Sequence, residues 1–171
     1  MAARLIPTSE AARLTGLPVA TFREWTVRRA LISPDVAPTG KGSPAKFTWQ
    51  TVLVLRIATL MRGRLQIELQ AHQDSFAALR SLLGRTSFVK LWGCWLRRNL
   101  DGGWETFGPL DKASPSDAIM LALDPHLMVL RDGFALPRQP GPEQLDLFNL
   151  PVLHGRAMQR GVEAPAGRRS A

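Results

Sequence analysis

Thr8-Ser9-Glu10-Ala11-Ala12-Arg13-Leu14-Thr15-Gly16-Leu17-Pro18 is the stretch on which the fold turns. It predicts a short helix, a turn and a second helix. Thr8 or Ser9 offers a hydroxyl suited to capping the first helix, with Ala11, Ala12 and Leu14 on its buried side. Gly16 permits a tight helix stop, and Pro18 suits the opening of the next helix. That second helix is expected over Ala20-Thr21-Phe22-Arg23-Glu24-Trp25-Thr26-Val27-Arg28-Arg29. Phe22 and Trp25, three apart, share one face, while Arg23, Arg28 and Arg29 fall largely elsewhere.

Further along, Leu31-Ile32-Ser33-Pro34 closes this unit. Residues 35–46 carry Pro38, Gly40, Gly42 and Pro44 together with Lys41 and Lys46, which predicts a flexible hairpin or wing. A third helix is expected from Thr48, with Val52, Leu55, Ile57, Leu60 and Met61 as its apolar stripe.

This order resembles the winged helix-turn-helix of the MerR superfamily of transcription regulators, over about residues 5–62. The resemblance rests on Ser9-x-x-Ala12-x-x-Thr15-Gly16, Thr21-Phe22-Arg23, Leu31-Ile32-x-Pro34 and Lys46-Phe47. It implies that the second helix enters the major groove of DNA and that the wing contacts phosphates. Thr21, Arg23, Arg28, Lys41 and Lys46 are then the DNA-facing candidates. Glu24-Trp25 stands where the family usually has two aromatics, and Ala30 where it usually has Gly. A helix-turn-helix kept as a scaffold or protein-binding surface is the alternative.

Residues 65–83 are read as helical, with Leu65, Leu69, Phe76, Leu79, Leu82 and Leu83 on one face and Gly84 at the end. Ser87 to Arg98 is a second helical candidate, holding Phe88, Leu91, Trp92, Trp95 and Leu96. A core aromatic cluster is the preferred reading of Trp92 and Trp95 over a base-stacking pair. Asp101-Gly102-Gly103 predicts a turn before a strand at Trp104-Glu105-Thr106-Phe107. Ala118 to Leu130 is apolar and broken at Asp124-Pro125, so two short elements are expected; helix and strand templates fit it equally.

Near the end stands Gln144-Leu145-Asp146-Leu147-Phe148. The pentapeptide is similar to the one by which bacterial replication and repair proteins dock on the DNA polymerase sliding clamp: Gln, Leu, Ser or Asp, Leu, Phe. All five positions agree, a coincidence expected about once in a few thousand chains of this length. The chemistry suits a short docking peptide. Leu147 and Phe148 are anchors for an apolar pocket, Leu145 adds a lesser contact, the Gln144 amide sets the register, and Asp146 suits solvent or a basic rim. Pro137, Pro140, Gly141 and Pro142 before it and Pro151 after it predict an extended, exposed segment rather than a regular element.

Whole-chain features bound the rest. The 171 residues, 45% of them hydrophobic, suffice for one substantial domain or two small ones. The single cysteine, Cys94, excludes an internal disulfide framework, fits a reducing cytoplasm and is read as a core residue. Neither a membrane span nor a secretory leader is evident. The net charge of +8 is uneven: residues 1–64 hold ten Lys/Arg against three Asp/Glu, whereas residues 65–136 hold seven against eight. A basic N-terminal third attracts phosphate backbones. His72, His126 and His154 lack ligand-spaced partners, and no phosphate-binding loop or nucleophile elbow occurs, so no cofactor, metal site or catalytic residue is expected. An enzyme of unrecognised type would show itself by a pocket with titratable groups of shifted pKa.

The expected fold is mainly α with small β elements: a MerR-like winged helix-turn-helix over 1–64, a helical or α+β region over 65–136, and a Pro/Gly-rich tail over 137–171. The expected function is non-enzymatic docking on the DNA polymerase III sliding clamp, in competition with polymerase or repair clients. A small chain with such a peptide looks like the SocB-type class of toxin. That resemblance implies an antitoxin serving as proteolytic adaptor and a ClpXP-type protease as further partners, and a cytoplasmic, replisome-associated location. A helper protein that uses the clamp for recruitment, in repair or regulatory inactivation of initiation, fits the peptide equally well; the alternative from a different class is a MerR-like transcription regulator with DNA as its partner.

Overall fold

Val52, Leu53, Val54 and Leu55 are all fully buried, four in succession, so the helix that carries them is enclosed on every side over that stretch rather than along one stripe. The computed structural model describes residues 4–40, 42–108, 111 and 116–137. Around that central helix the described residues are mainly α, with five α-helices and a few short antiparallel strands among them. The order is β1 (Ile6–Pro7), α1 (Thr8–Thr15), α2 (Val19–Arg23) continued by a π-helical turn (Glu24–Arg28), β2 (Lys46–Phe47), α3 (Trp49–Leu65), α4 (Gln73–Gly84), β3 (Trp95–Asn99), β4 (Trp104–Phe107), β5 (Ala118–Ala122) and α5 (Asp124–Phe134).

The first turn is made as the sequence predicts. Gly16 adopts a left-handed φ of 75°, and its N–H closes onto the last carbonyls of α1. The expected hydroxyl cap of α1 does not form. Pro7 occupies the N-cap, because β1 pairs with β2 in the register Ile6↔Phe47 and Pro7↔Lys46, and that pairing fixes where the helix starts. Residues 36–46 form a hairpin closed by a bridge between Val36 and Lys46. Phe22 of α2 meets Phe47 edge-on at 5.0 Å, locking the second helix to β2. Thr48 caps α3 by accepting the Thr51 N–H.

Two expectations are corrected. The helix expected over 65–83 is split. Gln66 takes a left-handed φ of 55° and ends α3, and regular helix resumes only at Gln73; Leu65 is left exposed. The helix expected over Ser87–Arg98 is instead a single 3-10 turn (Phe88–Leu91) followed by β3. Gly93, at φ 73°, turns the chain between them. The tryptophans therefore part company. Trp92 packs edge-on against Phe88, which in turn meets Trp49, whereas Trp95 is largely exposed on the sheet.

Strand order in the second sheet is β4-β3-β5, all antiparallel. Asn99 and Gly103 close the β3–β4 hairpin, with Gly102 at φ 95°. Leu96 and Leu121, paired across β3 and β5, turn to the core. Asp124-Pro125 is not a free turn: Pro125 stands in the first turn of α5, where its missing N–H costs nothing. Buried residues from Ile6 to Phe134 form one cluster, and residues on either side of position 64 share it. By its internal packing the chain divides into two units, Met1–Gln139 and Pro140–Ala171. Among the described residues no helix is long and apolar enough to cross a membrane.

Candidate functional site

Gln144, Leu145, Asp146, Leu147 and Phe148 lie outside the described residues, as does Lys41. The site that can be built atom by atom is the outer face of α2. Pro18 opens that helix, and its carbonyl accepts the Phe22 N–H at 2.9 Å. From Glu24 the winding widens to i→i+5, with the Arg29 N–H on the Glu24 carbonyl at 2.9 Å. Two features hold the wide turn. The Thr26 hydroxyl donates back to the Phe22 carbonyl at 2.9 Å in a buried position, and the Arg62 guanidinium lies 5.7 Å from the Trp25 ring.

With Phe22 and Trp25 facing inward, Val19, Ala20, Arg23, Val27 and Arg28 face outward. Opposite them run Pro7, Thr8 and Ser9 at the start of α1, and Pro38, Ser43 and Pro44 of the hairpin. The space between is a groove of about 560 Å³. Arg23 and Arg28, two of the DNA-facing candidates, both line this groove. Thr21 is half-buried and does not line the groove; Lys46 is exposed on β2, also outside that lining.

The charges in this face are unequal. Arg23 makes no ion pair among the described residues. Arg28 is drawn to Glu24 at 3.4 Å, and Arg29 reaches the other Glu24 oxygen at 2.9 Å. The hydrogen bond from Arg29, helped by both arginine charges, holds the Glu24 carboxyl below its ordinary range. Glu24 therefore stays ionised and offsets part of the basic field. Exposed Val19 and Val27 give the groove an apolar wall that the sequence reading did not single out. Their spacing from Arg23, four residues on either side, puts all three on one helical face and was the available signal.

Among the described residues no group of three or more His, Cys, Asp or Glu side chains could hold a metal ion. Compared with known proteins, the chain matches no family model, and no curated protein is similar to it in sequence.

Proposed function

We propose that this protein docks on the DNA polymerase sliding clamp through Gln144–Phe148 and acts without enzymatic chemistry, competing with polymerase or repair clients for the same apolar pocket. The observation that carries the reading is the agreement of QLDLF at all five positions of the clamp-binding pattern. Its setting in the sequence supports it: Pro137, Pro140, Gly141 and Pro142 before the peptide and Pro151 after it disfavour a regular element. A docking peptide must be free to leave its own protein, and five residues with two large anchors can supply the affinity. Occupying that pocket stalls elongation, which makes the protein a toxin of the SocB type, held in check by an antitoxin that delivers it to a ClpXP-type protease.

The test is a reconstituted replication reaction. The protein is expected to block elongation, with the block relieved by excess clamp and absent from the Leu147→Ala, Phe148→Ala double variant. A block indifferent to added clamp would end the proposal.

A second reading, a MerR-like DNA-binding regulator, is favoured by one observation: Arg23 lies exposed, without an ion pair among the described residues, on the outer face of the second helix of a helix–turn–helix. The pairing of β1 with β2 and the hairpin over 36–46 support a winged arrangement of that unit. The Glu24 pairs and the apolar groove wall point instead to sequence-blind attraction or to a protein partner. Promoter footprinting separates the cases: a discrete protected site supports the regulator, and uniform, salt-sensitive binding removes it.

A further inference from the structure

A second cavity, of about 530 Å³, lies between the latter half of α3 and the edge strand β5. Arg56, Leu60 and Arg64 recur every four residues and line its α3 side, while Met120 and Ala122 line its strand side. His126, from the first turn of α5, is nine-tenths buried and also lines it.

The charge here is unbalanced. Arg56 is half-buried, donates from Nη1 to the Leu14 carbonyl and from Nε to Nδ1 of His126 at 3.3 Å. Among the described residues no carboxylate pairs with Arg56, and its Nη2 has no hydrogen-bond partner. A partly buried cation without a counter-ion is costly, so the site gains from any anion that reaches it.

His126 serves Arg56 as an acceptor. A guanidinium can only donate, so Nδ1 of His126 accepts and the ring proton sits on Nε2. Burial first, and the Arg56 charge second, push the ring pKa down to about 4, so the ring is neutral at pH 7. With its lone pair engaged by Arg56, the ring is no general base. The Thr15 and Thr59 hydroxyls, also in the lining, donate to the Ala12 and Leu55 carbonyls. The cavity offers binding, not nucleophilic chemistry.

We propose that this cavity binds a small organic carboxylate with an apolar body, its oxygens accepting from Arg56 and its body flanked by Leu60, Met120 and Ala122. A carboxylate supplies the counter-ion that Arg56 lacks among the described residues, and exposed Arg64 adds long-range attraction. The volume lies within the usual range for small-ligand sites. A free inorganic anion would leave the apolar wall unused.

The test is calorimetric titration of the full chain with octanoate, 3-phenylpropanoate and benzoate. Octanol, which has the body without the charge, and inorganic phosphate, which has charge without the body, are the controls. At least one carboxylate is expected to bind about tenfold more tightly than either control, and Arg56→Gln to abolish that preference. Arg64→Gln changes an exposed side chain and keeps the test meaningful when Arg56→Gln does not fold. It is expected to weaken the carboxylate about threefold and leave octanol unchanged. Equal binding of carboxylate and octanol, no binding by any of the three acids, or a carboxylate affinity indifferent to Arg64→Gln would overturn the proposal.

Discussion

Arg80 and Asp35 meet at 2.7 Å although 45 residues separate them in the chain. The same carboxylate accepts the Thr48 N–H at 2.7 Å and the Thr48 hydroxyl at 3.1 Å, and Arg80 also donates to the Ser33 carbonyl at 2.9 Å. One acidic side chain thus joins the base of the hairpin, the cap of α3 and the outer face of α4. Asp35→Ala is expected to cost about 2–3 kcal/mol, because it removes three hydrogen bonds to a charged acceptor. Arg80→Ala, at a more exposed position, should cost about 1 kcal/mol. Urea denaturation of both variants checks the order, and a larger loss for Arg80→Ala would contradict it.

Gly133 is fixed by its neighbour rather than by its backbone. A Cβ placed there would sit 2.5 Å from one Leu14 methyl and 2.7 Å from the other, where α5 crosses α1, and Leu14 is buried. Gly→Ala in a helix ordinarily stabilises by roughly 0.5–1 kcal/mol, but overpacking costs about 1–3 kcal/mol. Gly133→Ala should therefore destabilise, and adding Leu14→Ala should make the Gly133→Ala step favourable. A single Gly133→Ala variant more stable than the parent would show that the two helices are free to separate.

His126 makes stability depend on pH. Its folded pKa of about 4 lies below the ordinary value of 6.5, so the unfolded chain binds this proton first as pH falls. The contribution is complete above pH 6.5 and is lost progressively between 6.5 and about 4. It amounts to roughly 3 kcal/mol at most. His126→Gln cannot titrate, so its stability should fall less than the parent's between pH 7.5 and 4.5 in matched urea titrations. Parallel curves for parent and variant would refute the assignment.

Glu24 is expected to restrain the basic face of α2. Glu24→Gln releases Arg28 and Arg29 and should tighten sequence-blind DNA binding, whereas Arg23→Ala should weaken it and reduce the salt slope by about 1. Fluorescence titrations at two salt concentrations read both. Unchanged affinity in both variants would remove this face from DNA contact.

Within the pentapeptide the anchors should outweigh the polar contact. Truncating a buried aromatic anchor typically costs about 2 kcal/mol or more, against about 0.5–1.5 for a neutral hydrogen bond. Phe148→Ala should thus weaken clamp binding more than Gln144→Ala, and equal losses would contradict the ordering.

How much of this was legible in the sequence depended on the range of the forces involved. The first turn was readable, because Gly16 and Pro18 act through their own backbones. So was the β3–β4 turn at Asp101-Gly102-Gly103, and so was the break at Asp124-Pro125. The run Ser87–Arg98 misled because its apolar residues fit a helix; the turn at Gly93 and the pairing of β3 with two partner strands overrode that local preference. Arg23 and Arg28 could be set apart from the Phe22 and Trp25 face, but their unequal pairing with Glu24 depends on where the π-helical turn sets the side chains. Nothing local signals that Arg56 meets His126, which lies 70 residues away, and so that cavity was not foreseen.

The most direct measurement is binding of the intact protein to a purified bacterial sliding clamp, with the Leu147→Ala, Phe148→Ala variant beside it. The account predicts micromolar or tighter binding by the parent. The double variant should not bind, and its unfolding transition should be unchanged. No binding by the parent, or a variant that loses its fold along with its affinity, would contradict the claim that QLDLF is a docking peptide.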